Sequence, residues 1–202
     1  NAVVVLSTIT GNHAAQSGGG LHSWTTQVAN TQVKGSLVWG NTSEVNTPDD
    51  VAAYSEDRAG FTSLGHNLVG AAGANVEFST DFAATGDQTG ITSATVVKLG
   101  PLTDNGGPTH THALASGSLA IDAATCTDQA DVTVTEDQRG VFRPQGTACD
   151  IGAFESEETT TLPAPQFTFD LSALPDMTYG DEPFSVAEYA SSTNSKGTIL
   201  FG

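Results

Sequence analysis

The sequence predicts an all-β protein of the solenoid kind, in which short strands stack on one another along one axis. The segment "NAVVVLSTITGN" (1–12) aligns with "NTQVKGSLVWGN" (30–41) at an offset of 29 residues, and both end in a Gly-Asn corner. Repeats of this length, built from short β-branched clusters, are typical of solenoids because one repeat cannot bury its apolar face alone. Helical candidates are almost absent, since Gly or Pro interrupts each window with a 3.6-residue apolar period.

The alignment pairs residues of the same type at five positions. Asn1 falls on Asn30, Val4 on Val33, Ile9 on Val38, Gly11 on Gly40 and Asn12 on Asn41. Gly and Asn suit corners because they tolerate positive φ better than other residues. Between corners, alternate side chains point inward. We therefore expect Val3, Val5 or Ile9 to stack inside the solenoid on their equivalents one coil away.

The chain divides into four predicted segments. Residues 1–98 form the coils, with a polar excursion at about 46–60, and residues 99–155 form a dense series of turns and brief apolar strands. Residues 156–165 are linker-like because of their charge, their threonine run and their prolines. Residues 166–202 alternate like sandwich strands but are too few for a complete sandwich.

Composition excludes several classes of partner. The chain has 6 Lys and Arg against 23 Asp and Glu, a formal net charge of −17. Phosphate backbones and anionic lipid would repel such a surface, so we expect no nucleic-acid partner. No apolar run approaches the length of a membrane span, so we expect no membrane insertion by this segment. The chain opens in mid-pattern, and we expect targeting segments to lie outside these residues.

The two cysteines, Cys126 and Cys149, have no metal-ligand spacing to other residues. In an exported protein they are expected to form one disulfide, with about 3 kcal/mol of stabilisation in the chain-entropy model. Two reduced core thiols are the alternative.

The stretch "LGPLTDNGGPTHTHALASGSLAIDAA" (99–124) combines turns with titratable side chains. Its Gly-Pro and Asn-Gly-Gly-Pro sequences predict tight turns. His110 and His112 share one face of an extended strand and could share a metal, but Asp104 or Asp122 would have to supply a third ligand. Structural histidines are the favoured interpretation.

Two of the three arginines lie among acids near residue 150. The segments "DQRGVFRP" and "CDIGAFE" carry Asp137, Arg139, Arg143, Asp150 and Glu155. A guanidinium between carboxylates is a common way to satisfy buried charge. We predict structural ion pairs, with Asp150 or Glu155 as partners of the arginines. A catalytic arginine of the lyase kind is the alternative.

Loop acids make calcium binding a further hypothesis. The candidates lie in three loops without an EF-hand spacing: Asp49, Asp50, Glu56, Asp57, Asp81 and Asp87. Solvated surface charge is the favoured interpretation, and no other cofactor is expected. The triplet Asn41-Thr42-Ser43 matches an N-glycosylation signal, which we interpret as accidental.

Four motifs carry a resemblance to a known family. "GPLTDNGGPTHTHAL", "GSLAIDA", "DQRGVFRP" and "CDIGAFE" follow one another in this order. The order resembles the C-terminal region of secreted bacterial choice-of-anchor Q proteins, which are related to polymorphic outer-membrane-protein-like repeats. The resemblance covers residues 1–155 and implies a right-handed parallel β-helix, with 99–155 as its C-terminal capping region. Residues 166–202 resemble the start of an MBG-type immunoglobulin-like repeat.

The resemblance implies a non-enzymatic, secreted structural or adhesive protein of the cell surface or extracellular matrix. The coils at 1–45 hold only Glu44 and Lys34 as charged residues, which argues against catalysis on their faces. The alternative is a polysaccharide lyase or glycoside hydrolase with its site in upstream coils. Partners are expected to be other copies of the chain, matrix components or carbohydrate.

The end of the chain predicts self-association. Half an immunoglobulin-like unit cannot cover its own sheet, and "SKGTILFG" carries an apolar strand without a partner in its module. The strand residues are Thr198, Ile199, Leu200 and Phe201. Strand addition to a neighbouring copy, head to tail, would give an open filament. A segment that simply lacks the rest of its repeat is the alternative.

Overall fold

The structure is a computed structural model that describes residues 2–25, 31–55, 60–157, 166–169 and 190–193. The chain forms two compact units, Asn1–Glu158 and Thr159–Gly202. Strands dominate the described residues, which contain two short helices, α1 (Phe78–Asp81) and α2 (Ala94–Val97). The all-β class predicted from the sequence is confirmed.

The first unit begins with short strands that recur in successive rounds of the chain. The first round contains β1 (Val3–Val5), β2 (Thr8–Thr10), β3 (His13–Ala14) and β4 (Leu21–Thr25). The second contains β5 (Thr31–Lys34), β6 (Leu37–Trp39), β7 (Thr42–Ser43) and β8 (Val51–Ser55). The third contains β9 (Phe61–Ser63) and β10 (Leu68–Val69), and β11 (Gln88–Thr89) follows.

Equivalent strands of successive rounds pair in parallel. The orders are β1-β5-β9, β2-β6-β10-β11, β3-β7 and β4-β8. Val4 lies opposite Val33 and Ile9 opposite Val38. The register therefore reproduces the predicted offset of 29 residues. The predicted corners are also confirmed, since Gly11 and Gly40 both have positive φ, 69° and 72°.

An inner apolar core runs through the rounds. Its members include Val33, Val38, Val51 and Val69, with Val4, Ile9 and Leu21 packed against them from the first round. The inward position of Ile9 was predicted correctly, but that of Val3 was wrong. Val4 packs against this core instead, and Val3 is 44% exposed. A shift of one residue exchanges the two faces of a strand, and the run of three valines gives no signal to distinguish them.

A second apolar core lies on the other face of β6 and β10. Leu37 and Leu68 are fully buried there, each next to a valine that points into the inner core. They pack against side chains of the 99–155 region, such as Ile151 and Phe154. Strands that are buried on both faces have sequences that are continuous apolar runs. The two leucines thus connect the strand rounds with the region that follows them.

The 99–155 region lies along the side of the rounds. It contains the antiparallel pair β12 (Leu99–Thr103) and β13 (Thr111–Leu114). The Gly152 N–H donates to the Gly35 carbonyl at 2.8 Å, and the Ala153 N–H donates to Thr8 Oγ1 at 3.0 Å. These bonds reach the first two rounds, so the region predicted as a cap covers a lateral face.

Polar side chains form a ladder from one round to the next. The Ser7 N–H donates to Ser36 Oγ, the Ser36 N–H to Asn67 Oδ1, and the Asn67 N–H to Asp87 Oδ1, at 2.9–3.2 Å. Each side chain accepts a corner amide that no strand partner satisfies. Buried backbone donors need such partners, so the ladder stabilises the corners.

The second unit contributes β14 (Gln166–Phe169) and β15 (Ala190–Thr193), which pair antiparallel. The predicted self-association residues, Thr198, Ile199, Leu200 and Phe201, lie outside the described residues.

Candidate functional site

The arginines predicted to form structural ion pairs lie in the 99–155 region. Arg143 Nη1 is 3.0 Å from Glu155 Oε2, and both side chains are buried. The same guanidinium donates to the carbonyls of Asp150 and Gly152. Glu155 also accepts the backbone N–H of Gln145 and of Asp150. Glu155, one of the two predicted partners, is thus the carboxylate that pairs with Arg143.

Arg139 pairs with a different carboxylate from the two that were expected. Its Nε donates to Asp137 Oδ2 at 2.9 Å, and its Nη2 donates to the Glu155 carbonyl at 2.6 Å. The guanidinium carbon lies 3.6 Å from the centroid of the Phe154 ring, a cation–π arrangement. The expected carboxylate of Asp150 instead accepts the N–H groups of Asp122 and Ser156.

Burial and hydrogen bonds act in opposite directions on these groups. Burial is the main cause that raises the pKa of Glu155. Burial also lowers the pKa of Arg143, against the attraction of the carboxylates around it. For Asp137, burial alone would raise the pKa, but the donated N–H groups and Arg139 hold it below its ordinary value. The carboxylates and guanidiniums therefore stabilise one another's charge inside the fold, although the buried Arg143 Nε has no hydrogen-bond partner among the described residues.

The predicted metal candidates of residues 99–124 are not brought together. His112 Nδ1 lies 2.7 Å from the Gly100 carbonyl, and His110 lines a groove beside β2. Asp104 accepts the Gly106 N–H within its own turn, and Asp122 accepts the Ala148 N–H. Within the described residues, no group of three or more His, Cys, Asp or Glu side chains is arranged to hold a metal ion.

The Asn-Gly-Gly-Pro sequence has a packing role in this region. A Cβ on Gly107 would lie 2.6 Å from the Arg139 Cα, so only glycine lets the turn approach the arginine backbone. The turn is thus part of the support of Arg139, whose Nη1 also donates to the Asn105 carbonyl.

The loop acids considered for calcium are mostly buried, so their interpretation as solvated surface charge was wrong. Asp49, Asp50 and Asp81 are at most 3% exposed. They accept N–H groups of the backbone: Asp49 from Gly18, Asp50 from Asn41 and Ala71, Asp81 from Phe61 and Glu77, and Asp87 from Asn67 and Ala84. Burial raises the pKa of Asp50, although hydrogen bonds from Asn41 and Ala71 oppose it. Glu56 and Asp57 lie outside the described residues.

Asn41 of the glycosylation triplet is fully buried. Its Oδ1 accepts the Asn12 N–H, and its Nδ2 donates to Asp50 Oδ1. These bonds occupy the amide, so the side chain is not accessible as an acceptor of a glycan.

The predicted disulfide between Cys126 and Cys149 is confirmed, with a Cα–Cα distance of 5.3 Å. Cys149 belongs to the second apolar core, and its carbonyl accepts the Ala124 N–H. The bond closes the loop of residues 126–149, which contains Arg139 and Arg143.

The outer face of β4 and β8 carries an aromatic group that the sequence reasoning missed. Trp24 lies opposite Tyr54 in the parallel register, with ring centroids 4.5 Å apart and planes 19° apart. His22 stacks on Trp24 at 6.2 Å. We call His22, Trp24 and Tyr54 the aromatic strip. Trp24 is 68% exposed and Tyr54 46%. The two rings are 30 residues apart, whereas the predicted offset of 29 aligns Trp24 with Ala53, so the sequence repeat gave no signal for this pair.

Comparisons with protein-family models, curated proteins and solved structures gave no match. The part of the chain that the structure describes also contains no helix long and apolar enough to span a membrane. The fold and the site therefore define the chain as an all-β protein with one disulfide, a buried ion-pair network and an exposed aromatic strip.

Proposed function

We propose that this chain is a non-enzymatic, secreted structural or adhesive surface protein built on a right-handed parallel β-helix. The observation that carries the proposal is the stack of parallel strands in matched register, with four groups of strands repeated from round to round. Such a stack is rigid and presents the same face repeatedly along its axis. Matrix and surface proteins need both properties.

The use of charge supports a structural role. Arg139 and Arg143 donate to carboxylates and carbonyls, and Lys34 pairs with Asp131 at 2.7 Å and also donates to the Asp128 carbonyl. These cations hold the 99–155 region together and attach it to β5. The disulfide supports an oxidising, extracellular location, because such bonds persist mainly in oxidising compartments.

The absence of catalysis is tested directly. The intact protein is incubated with acidic and neutral polysaccharides, and unsaturated products and new reducing ends are measured. We expect neither above the level of a boiled control. Either product, formed in proportion to protein concentration, would favour the lyase or hydrolase alternative.

Self-association by strand addition is the proposed mode of assembly. The proposed acceptor is the edge of the first round, β1 to β4, because a strand edge can serve as a template for another strand. The proposed donor is the 165–202 segment of a neighbouring copy, which includes Thr198, Ile199, Leu200 and Phe201.

Light scattering of the full chain and of a chain lacking residues 165–202 tests this assembly. We expect the full chain to grow in mass with concentration and the shortened chain to stay monomeric. A full chain that remains monomeric at high concentration would contradict strand addition, as would an assembly that the deletion leaves unchanged.

A further inference from the structure

We infer that the aromatic strip binds neutral glycan chains, an inference that rests on the proposed adhesive function and names its ligand class. The strip is held by the five-residue parallel pair β4–β8, in which Leu21 to Thr25 lie opposite Val51 to Ser55. Leu21 and Val51 on the opposite face belong to the inner core, which leaves Trp24 and Tyr54 on the outside.

The rings are placed before any ligand arrives. Trp24 and Tyr54 support each other by stacking, and His22 Nδ1 lies 2.8 Å from the Ser17 carbonyl. A Cβ on Gly18 would lie 2.9 Å from the His22 Cβ, so the preceding turn packs closely on the imidazole. A ligand that stacks here therefore does not have to order the side chains first, and this lowers the entropic cost of binding.

The chemistry of the strip fits sugar rings. The ring faces carry negative quadrupole charge, and the C–H groups on one face of a pyranose carry partial positive charge, so the two stack favourably. The indole N–H, the tyrosine hydroxyl and the imidazole are hydrogen-bonding groups for sugar hydroxyls. Aromatic side chains with a small number of placed polar groups are the usual lining of a small-ligand site.

A polar groove near β8 is lined by Asn75, Glu77, Thr80 and Asp81. Asn75 Nδ2 donates to the carbonyl of Ala53, the residue before Tyr54. Thr80 Oγ1 donates to the Glu77 carbonyl, and the buried Asp81 accepts the N–H groups of Phe61 and Glu77. These polar groups bond within the fold, so the rings of the strip carry the proposed contact with sugar.

Charge and size favour a neutral glycan over other ligands. The net charge of −17 disfavours acidic polysaccharides. Two large aromatic side chains offer about 150–250 Å² each, whereas a stable protein interface buries about 800 Å² on each partner. The strip alone is therefore too small for a folded protein partner but suffices for one or two sugar rings.

The test is a titration of the intact protein with neutral hexasaccharides of glucose, xylose and mannose, followed by calorimetry. Hexagalacturonate and hexalysine serve as anionic and cationic probes. We expect saturable binding of at least one neutral hexasaccharide, weakened about tenfold or more by Trp24→Ala and largely retained in Trp24→Phe. The unfolding transition of each variant is measured first, and we expect it to be unchanged because Trp24 is exposed.

The matched control is Phe142→Ala, because Phe142 is also 68% exposed but lies outside the strip. This variant should bind like the unmodified chain. Failure of all neutral hexasaccharides to bind would overturn the inference, as would equal affinity of Trp24→Ala or binding of hexalysine alone. Light scattering tests assembly without involving Trp24, so failure of glycan binding is distinguishable from failure of the proposed function.

Discussion

Two loops of the 99–155 region share a backbone design and differ in what they anchor. The Asp128 loop (residues 127–133) and the Asp137 loop (residues 136–142) are closed by the antiparallel bridges Thr127–Thr133 and Glu136–Phe142. In both, the aspartate Oδ1 accepts the backbone N–H groups two and four residues later. In both, the aspartate N–H also donates to the carbonyl four residues later.

The two loops anchor different parts of the protein because they differ at the third and fourth positions, counted from the aspartate. Where the Asp128 loop has Ala130 and Asp131, the Asp137 loop has Arg139 and Gly140. Asp131 pairs with Lys34 of β5, and its side chain stays 86% exposed. Arg139 instead bonds the Asp137 carboxylate and the Glu155 carbonyl. One backbone turn thus attaches the region to the strand rounds, and the other holds its C-terminal segment.

Of the variants that compare the two loops, Asp137→Ala should lower the stability of the protein most. The Asp137 carboxylate accepts Arg139 Nε and the N–H groups of Arg139, Val141 and Glu155. Its removal leaves a buried guanidinium without its carboxylate and three backbone N–H groups without their acceptor, and we expect a loss of about 4 kcal/mol in the free energy of unfolding. Urea titration measures it. A loss no greater than that of Asp128→Ala would refute the distinction between the loops.

Arg139→Met should have the second-largest effect, a loss of about 3 kcal/mol in the free energy of unfolding. The substitution keeps an apolar contact with Phe154 but leaves Asp137 without its cation. The melting temperature and the urea midpoint should both fall. An unchanged midpoint would mean that the pair contributes nothing to stability.

Lowering the pH should reduce the contribution of the Asp137 side chain to the stability of the protein. The pKa of Asp137 in the folded protein lies below its usual 3.8, so the unfolded chain takes up a proton first as the pH falls. Stability from this group is complete above the usual value and is lost through the folded pKa. The difference in unfolding free energy between the unmodified chain and Asp137→Asn should therefore be larger at about pH 6 than at about pH 2.5. A difference that does not shrink in acid would contradict this assignment.

Asp128→Ala should be milder, because the Asp128 side chain accepts two exposed N–H groups and no cation. We expect a loss of about 1 kcal/mol by urea titration. If Asp128→Ala lowered the free energy of unfolding as much as Asp137→Ala, the hydrogen bonds of the turn, and not the ion pair, would be the main stabilising contribution in both loops.

Gly140→Asn should have the smallest effect, within about 0.5 kcal/mol. Gly140 has φ of 85°, and Asp131 adopts 60° at the same position of the other loop. A Cβ on Gly140 would meet nothing within 4 Å, whereas one on Gly107 would clash with Arg139. Gly107→Asn is therefore the control that should destabilise strongly. Equal melting temperatures for the two variants would contradict the packing role of Gly107.

The sequence by itself determined the features that depend on local pattern. The all-β class follows from short β-branched clusters between Gly-Asn corners, and the offset that pairs Val4 with Val33 is visible in the letters. The Cys126–Cys149 bond needed only the count of cysteines and an exported context. The pattern Asp-Gln-x-x-Val also occurs twice in the sequence, beginning at Asp128 and at Asp137, but a match of three residues does not by itself predict a shared turn.

The tertiary structure alone decided which polar groups are buried and which partners they take. Asp50 and Asp81 resemble surface acids in the sequence, yet each accepts an N–H group from a residue 20 or 21 positions away. Likewise, Leu37 and Leu68 face the 99–155 region, and Trp24 meets Tyr54, only because successive rounds stack. A periodic sequence pattern shows which residues occupy equivalent positions in successive rounds. Whether such a residue is buried depends on contacts with residues that are distant in the sequence, and only the folded chain brings these residues together.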